Sequence, residues 1–373
     1  MPTAAPPTVS LLDLRRQYAG IREEIRAAID EVADAQALVL GKVTSDFEAR
    51  LADYCDCTHA IACSSGTDAL IMAMMAIDIA PGDEVILPSF TFFATGGCVH
   101  RMGAVPVFAD IDPLTFNLDP ADVEHRITEK TRAIVPVHLF GQCADMDAIN
   151  RIACQHGLLV LEDAAQAIGA TRGGRPACSM GWMGALSFYP TKNLGAFGDA
   201  GAVLCRDPDL ADRLRRLRVH GSGHTYYHDE VGGNFRIDAL QSAVLDVKLN
   251  YLEQWHEARR ENAAYYDERF MPVEEIAEPF IDAGNTSIYN QYVVRVKDRD
   301  AVKEKLAEQG VGSGVYYPLG LHLQKCFAYR GGKAGDLPHT ESAQAEVLAL
   351  PVYPELTEAE RERVADVLID AVR

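Results

Sequence analysis

Gly184-Ala185-Leu186-Ser187-Phe188-Tyr189-Pro190-Thr191-Lys192-Asn193 puts a lysine just past a small apolar run. Leu194-Gly195-Ala196-Phe197-Gly198-Asp199-Ala200-Gly201 then follows with glycine and alanine, which leave room for something bulky. A lysine in a tight, apolar, glycine-flanked turn loses hydration. That disfavours the ammonium, lowers its pKa and makes the amine a usable nucleophile towards an aldehyde. Taken alone, Lys192 is as readily one of the many lysines that merely solvate a surface. The residues upstream decide.

Working back from that turn, the chain alternates between short apolar runs and helical periodicity. The apolar run Ala60 to Cys63 precedes Ser64-Ser-Gly-Thr67 and a helix over Asp68 to Ile77. Strand Glu84 to Leu87, helix Phe93 to Met102 and strand Ala104 to Ala109 come next. Helix Pro120 to Ile127 leads to strand Ala133 to Val137, and helix Met146 to His156 to strand Leu158 to Leu161. Strands separated by helices predict an α/β fold, a mostly parallel sheet sandwiched by helices. Before this series, Leu11 to Ala35 and Ser45 to Tyr54 carry helical periodicity. After it, Leu240, Val244, Val247, Tyr251 and Trp255 predict one long helix joining the large part to a smaller α+β C-terminal domain. That domain is expected to hold strand Gln291 to Val296, helix Ala301 to Gln309 and a terminal helix Glu358 to Val372. The expected division is 1–250 and 251–373, in keeping with a 373-residue chain that is long for one core.

Composition narrows the function. Lys+Arg 35 against Asp+Glu 54 gives a net charge of −19, a field that repels nucleic acid and anionic membranes. Arg213-Leu-Arg-Arg-Leu-Arg218 is the one basic run and reads as a solvated helix face. Met1 to Ser10 lacks the basic start and apolar stretch of a leader segment, and Leu70 to Ala80 is too short to span a bilayer. Nine cysteines without a Cys-x-x-Cys suit free thiols in a reducing, cytoplasmic setting. No metal is expected: His224 and His228 share i,i+4 spacing, but Gly221 and Gly223 put them in a loop. A dinucleotide fingerprint and a Walker A motif are both absent.

Ligands of open α/β sheets gather at the carboxyl ends of strands, and three groups fall there. Ser65-Gly66-Thr67 joins a strand to a helix start; with Thr67 as cap, its free N–H groups suit a phosphate, although a plain helix cap reads the same way. Asp163 ends the buried run Leu158 to Glu162, and a carboxylate there needs a partner. A pyridinium nitrogen or an arginine would each serve. Gln166 lies three residues on, able to hydrogen-bond a phenolate oxygen. In Ser89-Phe-Thr-Phe-Phe-Ala-Thr95 the ring of Phe92 would stack on a flat cofactor or simply pack in the core. Phosphate seat, stacking ring, pyridine partner and reactive lysine together describe a site for pyridoxal 5′-phosphate.

These stretches, with Pro136-Val-His-Leu-Phe-Gly-Gln142, Glu162-Asp-Ala-Ala-Gln166 and Gly233-Asn-Phe-Arg-Ile-Asp238, resemble the DegT/DnrJ/StrS nucleotide-sugar aminotransferases. Those are fold type I pyridoxal phosphate enzymes related to aspartate aminotransferase. The resemblance runs from about Leu12 to the C-terminus. It implies that Lys192 attaches the cofactor and that Asp163 holds its ring nitrogen. Gln166 would face the ring oxygen, Phe92 the ring, and Gly66, Thr67 and Ser187 the phosphate. Asn234 would reach the phosphate from a neighbouring subunit, so the resemblance implies a homodimer with shared sites. Tyr189, Arg236, Tyr317 and His322 are candidates for sugar or diphosphate contacts. The chain departs from the family in carrying Asn290 where many members have histidine.

The implied reaction moves an amino group from glutamate to a keto-sugar linked to a nucleoside diphosphate. Two alternatives are a same-fold sugar dehydratase, in which histidine replaces the lysine, and a non-catalytic regulator that binds the cofactor. Lys192 argues against the first, and the absence of a DNA-binding helix pair or basic arm against the second.

Overall fold

The computed structural model describes residues 8–224 and 226–373. Of the Met1 to Ser10 segment, residues 1–7 lie outside the described residues. Seven strands form the central sheet: β1 (His59–Cys63), β2 (Glu84–Pro88), β3 (Val105–Ala109), β4 (Thr131–Ile134), β5 (Leu159–Asp163), β6 (Met183–Ser187) and β7 (Gly201–Cys205). Their spatial order is β1-β7-β6-β5-β4-β2-β3. Only β7 runs against its neighbours, β1 and β6; the pairs β6·β5, β5·β4, β4·β2 and β2·β3 are parallel. The mostly parallel α/β architecture expected from the sequence is therefore present.

Because successive side chains of a strand face opposite sides, each strand feeds two cores. In β1, Ala60 and Ala62 join the core beneath α1 (Leu14–Ala35), α2 (Lys42–Tyr54) and α8 (Ala239–Leu249). Ile61 and Cys63 join the opposite one, under α3 (Gly66–Ala76), α4 (Phe93–Arg101) and α7 (Pro208–Leu217). The helices α5 (Pro120–Arg126) and α6 (Met146–His156) cover Ile86, Ile134 and Val160. Full burial of such an aliphatic side chain is worth about 1.5–3 kcal/mol, and both faces of the sheet carry many. Hence the strands read as continuous apolar runs.

The helix predicted after Asp238 is two. The helix α8 ends at Leu249 and α9 (Leu252–Phe270) begins after two intervening residues. The break lets the first turns of α9 keep Leu252 and Trp255 in the first core while Ala263, Tyr266 and Phe270 enter a separate one. That second core lies among α9, α10 (Arg299–Glu308), α11 (Glu358–Val372) and a three-stranded sheet. The sheet strands are β8 (Ile276–Ala277), β9 (Tyr292–Val296) and β10 (Val347–Leu350). Val9 belongs to the same core and bridges Val311. Arg218, placed with the solvated arginines above, is buried instead and donates to Glu48 and to the Ala62 carbonyl. Among the described residues no helix is long and apolar enough to cross a membrane.

Candidate active site

A cleft of about 610 Å³ opens where β1, β2, β4, β5 and β6 end. After β1, the chain turns straight into α3. Ser65, extended at φ −167°, caps that helix by accepting from the Asp68 N–H at 3.0 Å. The cap is thus Ser65 and not Thr67, which lies inside the first turn. The reason is backbone geometry: a capping residue needs extended φ/ψ, and the helix already begins at Gly66. Gly66 permits the next contact. A Cβ added there would sit 2.6 Å from the Ser187 Cβ, so only glycine lets α3 close on the end of β6. The start of α3, Gly66, Thr67 and Ser187 all line the cleft, and free N–H groups with the helix dipole favour an anion there.

Asp163 is 4% exposed at the end of β5. Its Oδ2 accepts from the Thr95 hydroxyl at 2.8 Å and its Oδ1 from the Ala165 N–H at 3.2 Å. Burial raises its pKa above the usual carboxylate range, and these two donors with Lys192 work in the opposite direction. Among the described residues no arginine pairs with Asp163, so the ion-pair alternative falls away. Gln166 accepts from the Phe140 N–H at 2.8 Å and donates to the Tyr317 hydroxyl at 3.0 Å. Phe92 stands at the cleft rim, exposed, with its ring centroid 6.2 Å from that of Tyr317.

Lys192 is half-buried in a loop with several tethers. Its own N–H donates to the Tyr189 carbonyl at 2.8 Å, and the Ala196 N–H donates to the Phe188 carbonyl at 2.8 Å. Asn193 Nδ2 donates to the Ile288 carbonyl at 3.1 Å, and the buried Lys248 Nζ to the Gly195 carbonyl at 2.6 Å. Loss of hydration brings the Lys192 amine down to about 8, with the Asp163 carboxylate pulling the other way. Such an amine can attack a carbonyl and carry a proton near neutral pH.

Tyr189 and Tyr317 line the cleft; Arg236, Asn234 and His322 do not. Arg236 bridges Cys63 through its backbone, and Asn234 is exposed. His322 is 3% exposed and fully engaged: Nδ1 lies 2.7 Å from the Ser89 hydroxyl and Nε2 3.3 Å from Glu341. Burial and saturation by its own chain remove it from the substrate candidates. Sequence reasoning missed Thr95, Gln291 and Tyr316, the last two on the cleft wall. None of the three left a signal in the sequence, because each is placed by contacts with residues far away along the chain.

A desolvated amine and a buried carboxylate thus share one cleft at the strand mouths of a mostly parallel sheet. The chain belongs to the DegT/DnrJ/EryC1/StrS aminotransferase family, whose model matches residues 19–369. It is 46% identical to the pleiotropic regulatory protein of Geobacillus stearothermophilus, over 98% of this chain and 99% of that one. It is 42% identical to the UDP-2-acetamido-2-deoxy-3-oxo-D-glucuronate aminotransferase of Pseudomonas aeruginosa, over 94% and 97%. Among solved structures, S. venezuelae DesV in complex with a ketimine intermediate superposes with a TM-score of 0.96 at 41% identity, covering 98% of this chain and 99% of that one. NtdA from Bacillus subtilis with bound cofactor PMP gives 0.91 at 34% identity, covering 98% and 85%. The resemblance drawn from the motifs thus holds for fold and family, and the family and these neighbours imply pyridoxal phosphate.

Proposed function

We propose that the protein is a pyridoxal 5′-phosphate-dependent aminotransferase that moves an amino group from glutamate to a keto-sugar linked to a nucleoside diphosphate. The observation that carries this is the Lys192 amine, brought to about 8 by burial opposite the buried Asp163. The residues fit the cofactor: glycine at position 66 leaves the start of α3 and Ser187 close enough to share one phosphate. When bound, the cofactor supplies an aldehyde and an electron-withdrawing ring that stabilises negative charge on the substrate's amino-bearing carbon.

The chain's own groups have the following roles. Lys192 Nζ would hold the cofactor and would take and return a proton at the substrate's amino-bearing carbon. Asp163, whose two donors favour the ionised form against burial, would keep a proton on the ring nitrogen. Gln166 would face the ring oxygen, Phe92 the ring, and Gly66, Thr67 and Ser187 the phosphate. Tyr189 and Tyr317 are placed for the sugar. Among the described lining residues Lys192 is the only Lys or Arg, so a substrate diphosphate must be met from outside this lining. That supports a homodimer in which the exposed Asn234, with Arg236 beside it, serves the partner's site. The division near residue 250 is supported by α9, whose start packs in the first core and whose later turns pack in the separate one, and the cytoplasmic setting by nine unpaired cysteines.

Borohydride reduction of the holoenzyme, followed by peptide mapping, should place the cofactor on Lys192; label on another lysine sinks the assignment. The regulatory reading gains from the name of the Geobacillus relative. Glutamate separates the two: an aminotransferase converts its bound cofactor to the amine form, whereas a regulator leaves the absorbance unchanged.

A further inference from the structure

Thr95 has no place in the scheme above, yet its hydroxyl makes the shortest hydrogen bond to Asp163. It sits in the first turn of α4, 68 positions from Asp163, with Oγ1 2.8 Å from Oδ2. Two other acceptors compete for its one hydrogen: the Phe92 carbonyl at 3.3 Å and the Thr91 hydroxyl at 3.2 Å. The carboxylate is both nearer and charged, and charge-assisted hydrogen bonds are roughly twice as strong as neutral ones. The hydrogen therefore points at Asp163. Thr91 then donates its own hydroxyl hydrogen to Thr95, and both side chains are buried. The result is a directed relay, Thr91 to Thr95 to Asp163, feeding one oxygen, while the Ala165 N–H feeds the other. The titratable groups around the carboxylate come from separate elements: Lys192 from its loop, His138 after β4, Cys98 on α4 and Tyr317.

We infer that Thr95 is a positioning residue that fixes the Asp163 carboxylate in its ionised form and orientation, and so sets how firmly the cofactor's ring nitrogen keeps its proton. This rests on the reading of Asp163 as the ring-nitrogen partner. Burial alone would push Asp163 towards the neutral acid, which cannot hold a second proton on the ring. Removal of the Thr95 hydroxyl leaves one backbone donor and a carboxylate free to rotate.

Holoenzyme reconstituted with cofactor labelled with ¹⁵N in the ring tests this. Thr95→Val keeps shape and volume and deletes only the donor; Thr95→Ser keeps the donor. In Thr95→Val the ring-nitrogen resonance should move towards the unprotonated position, its proton affinity lowered about tenfold. The glutamate half-reaction should slow by about the same factor in its maximal rate, with the glutamate concentration for half-saturation little changed. Thr95→Ser should restore both. Thr95→Ala gives the same readouts if valine impairs folding. A wild-type resonance in Thr95→Val, with a shifted one in Asp163→Asn, overturns the role of Thr95 and leaves that of Asp163 standing. A wild-type resonance in Asp163→Asn overturns both. Equal shifts in the valine and serine variants also overturn it, because a variant that keeps the hydroxyl would then behave like one that lacks it.

Discussion

Glu162 and Asp163 are neighbours on β5, both buried, and they face opposite sides of the sheet. Glu162 is wholly enclosed and saturated. Its Oε1 accepts from the Met180 and Gly181 N–H groups, and its Oε2 from the Cys178 N–H at 2.9 Å and from His138 Nε2 at 2.8 Å. Because His138 Nδ1 accepts from the Ala144 N–H at 3.1 Å, its hydrogen sits on Nε2, aimed at Glu162. Asp163 has two donors only, and lines the cleft. A carboxylate offers about four acceptor positions. Glu162 fills its positions from its own chain; Asp163 keeps capacity in reserve for something that enters the cleft. Adjacent acids thus differ in the count of donors, one saturated by its own chain and the other with acceptor capacity open to the cleft.

Glu162→Gln should break the clamp. Its amide N–H₂ would face N–H groups that have no other acceptor, and disruption of a saturated buried charge costs about 3–5 kcal/mol. Chemical denaturation should show that loss, while refolded holoenzyme keeps most of its glutamate half-reaction per bound cofactor. Loss of activity without loss of stability would collapse the distinction between the two acids. Asp163→Asn is the mirror experiment. The amide oxygen can take the Ala165 N–H while its N–H₂ donates to the Thr95 hydroxyl, which is free to turn to the Phe92 carbonyl, so stability should change by less than about 1 kcal/mol. The half-reaction, measured by stopped-flow absorbance, should fall on the order of 10²-fold, because a neutral amide cannot hold the ring proton.

The comparison also shows what a sequence reveals. Asp163 was legible because a carboxylate at the end of an apolar run has no local partner. Glu162 was not, since its clamp is assembled from the 178–181 turn and from His138, none of them near it in sequence. Strands β1 to β5 were legible within a few residues because burial on both faces makes them apolar throughout. β7 escaped notice: Gly201-Ala202-Val203-Leu204-Cys205 is glycine-led and runs straight on from the glycine- and alanine-rich lysine loop, so it does not stand out. β10 and the break between α8 and α9 depend on which core each turn joins, which no periodicity records. Thr95 and the sealed His322 differ by contacts alone. A threonine in a first helical turn and a histidine in a loop say nothing about a partner 68 or 233 residues away.

The smallest effect concerns the amine that faces Asp163. Lys192 is brought from the usual 10.5 to about 8 by burial, so the folded apoprotein binds its proton less well than the unfolded chain does. Between those two pH values the unfolded state carries more protons, and stability must rise with pH. Below about 8 the penalty is complete. A shift of this size corresponds to roughly 2–3 kcal/mol after allowance for the partial exposure of Lys192. Lys192→Met removes the amine and keeps an apolar chain of similar length. Asp163 then loses an attractive neighbour, which takes back part of the gain. The cofactor-free variant should therefore be more stable than cofactor-free wild type near pH 7, and the gap should close as pH climbs from about 8 to 10.5. Lys248, also brought to about 8 by burial, is present in both proteins and cancels. Urea unfolding of the two apoproteins across that range gives the answer. A gap that stays constant with pH would mean that methionine acts by packing, and that the lysine facing Asp163 is not held at the expense of the fold.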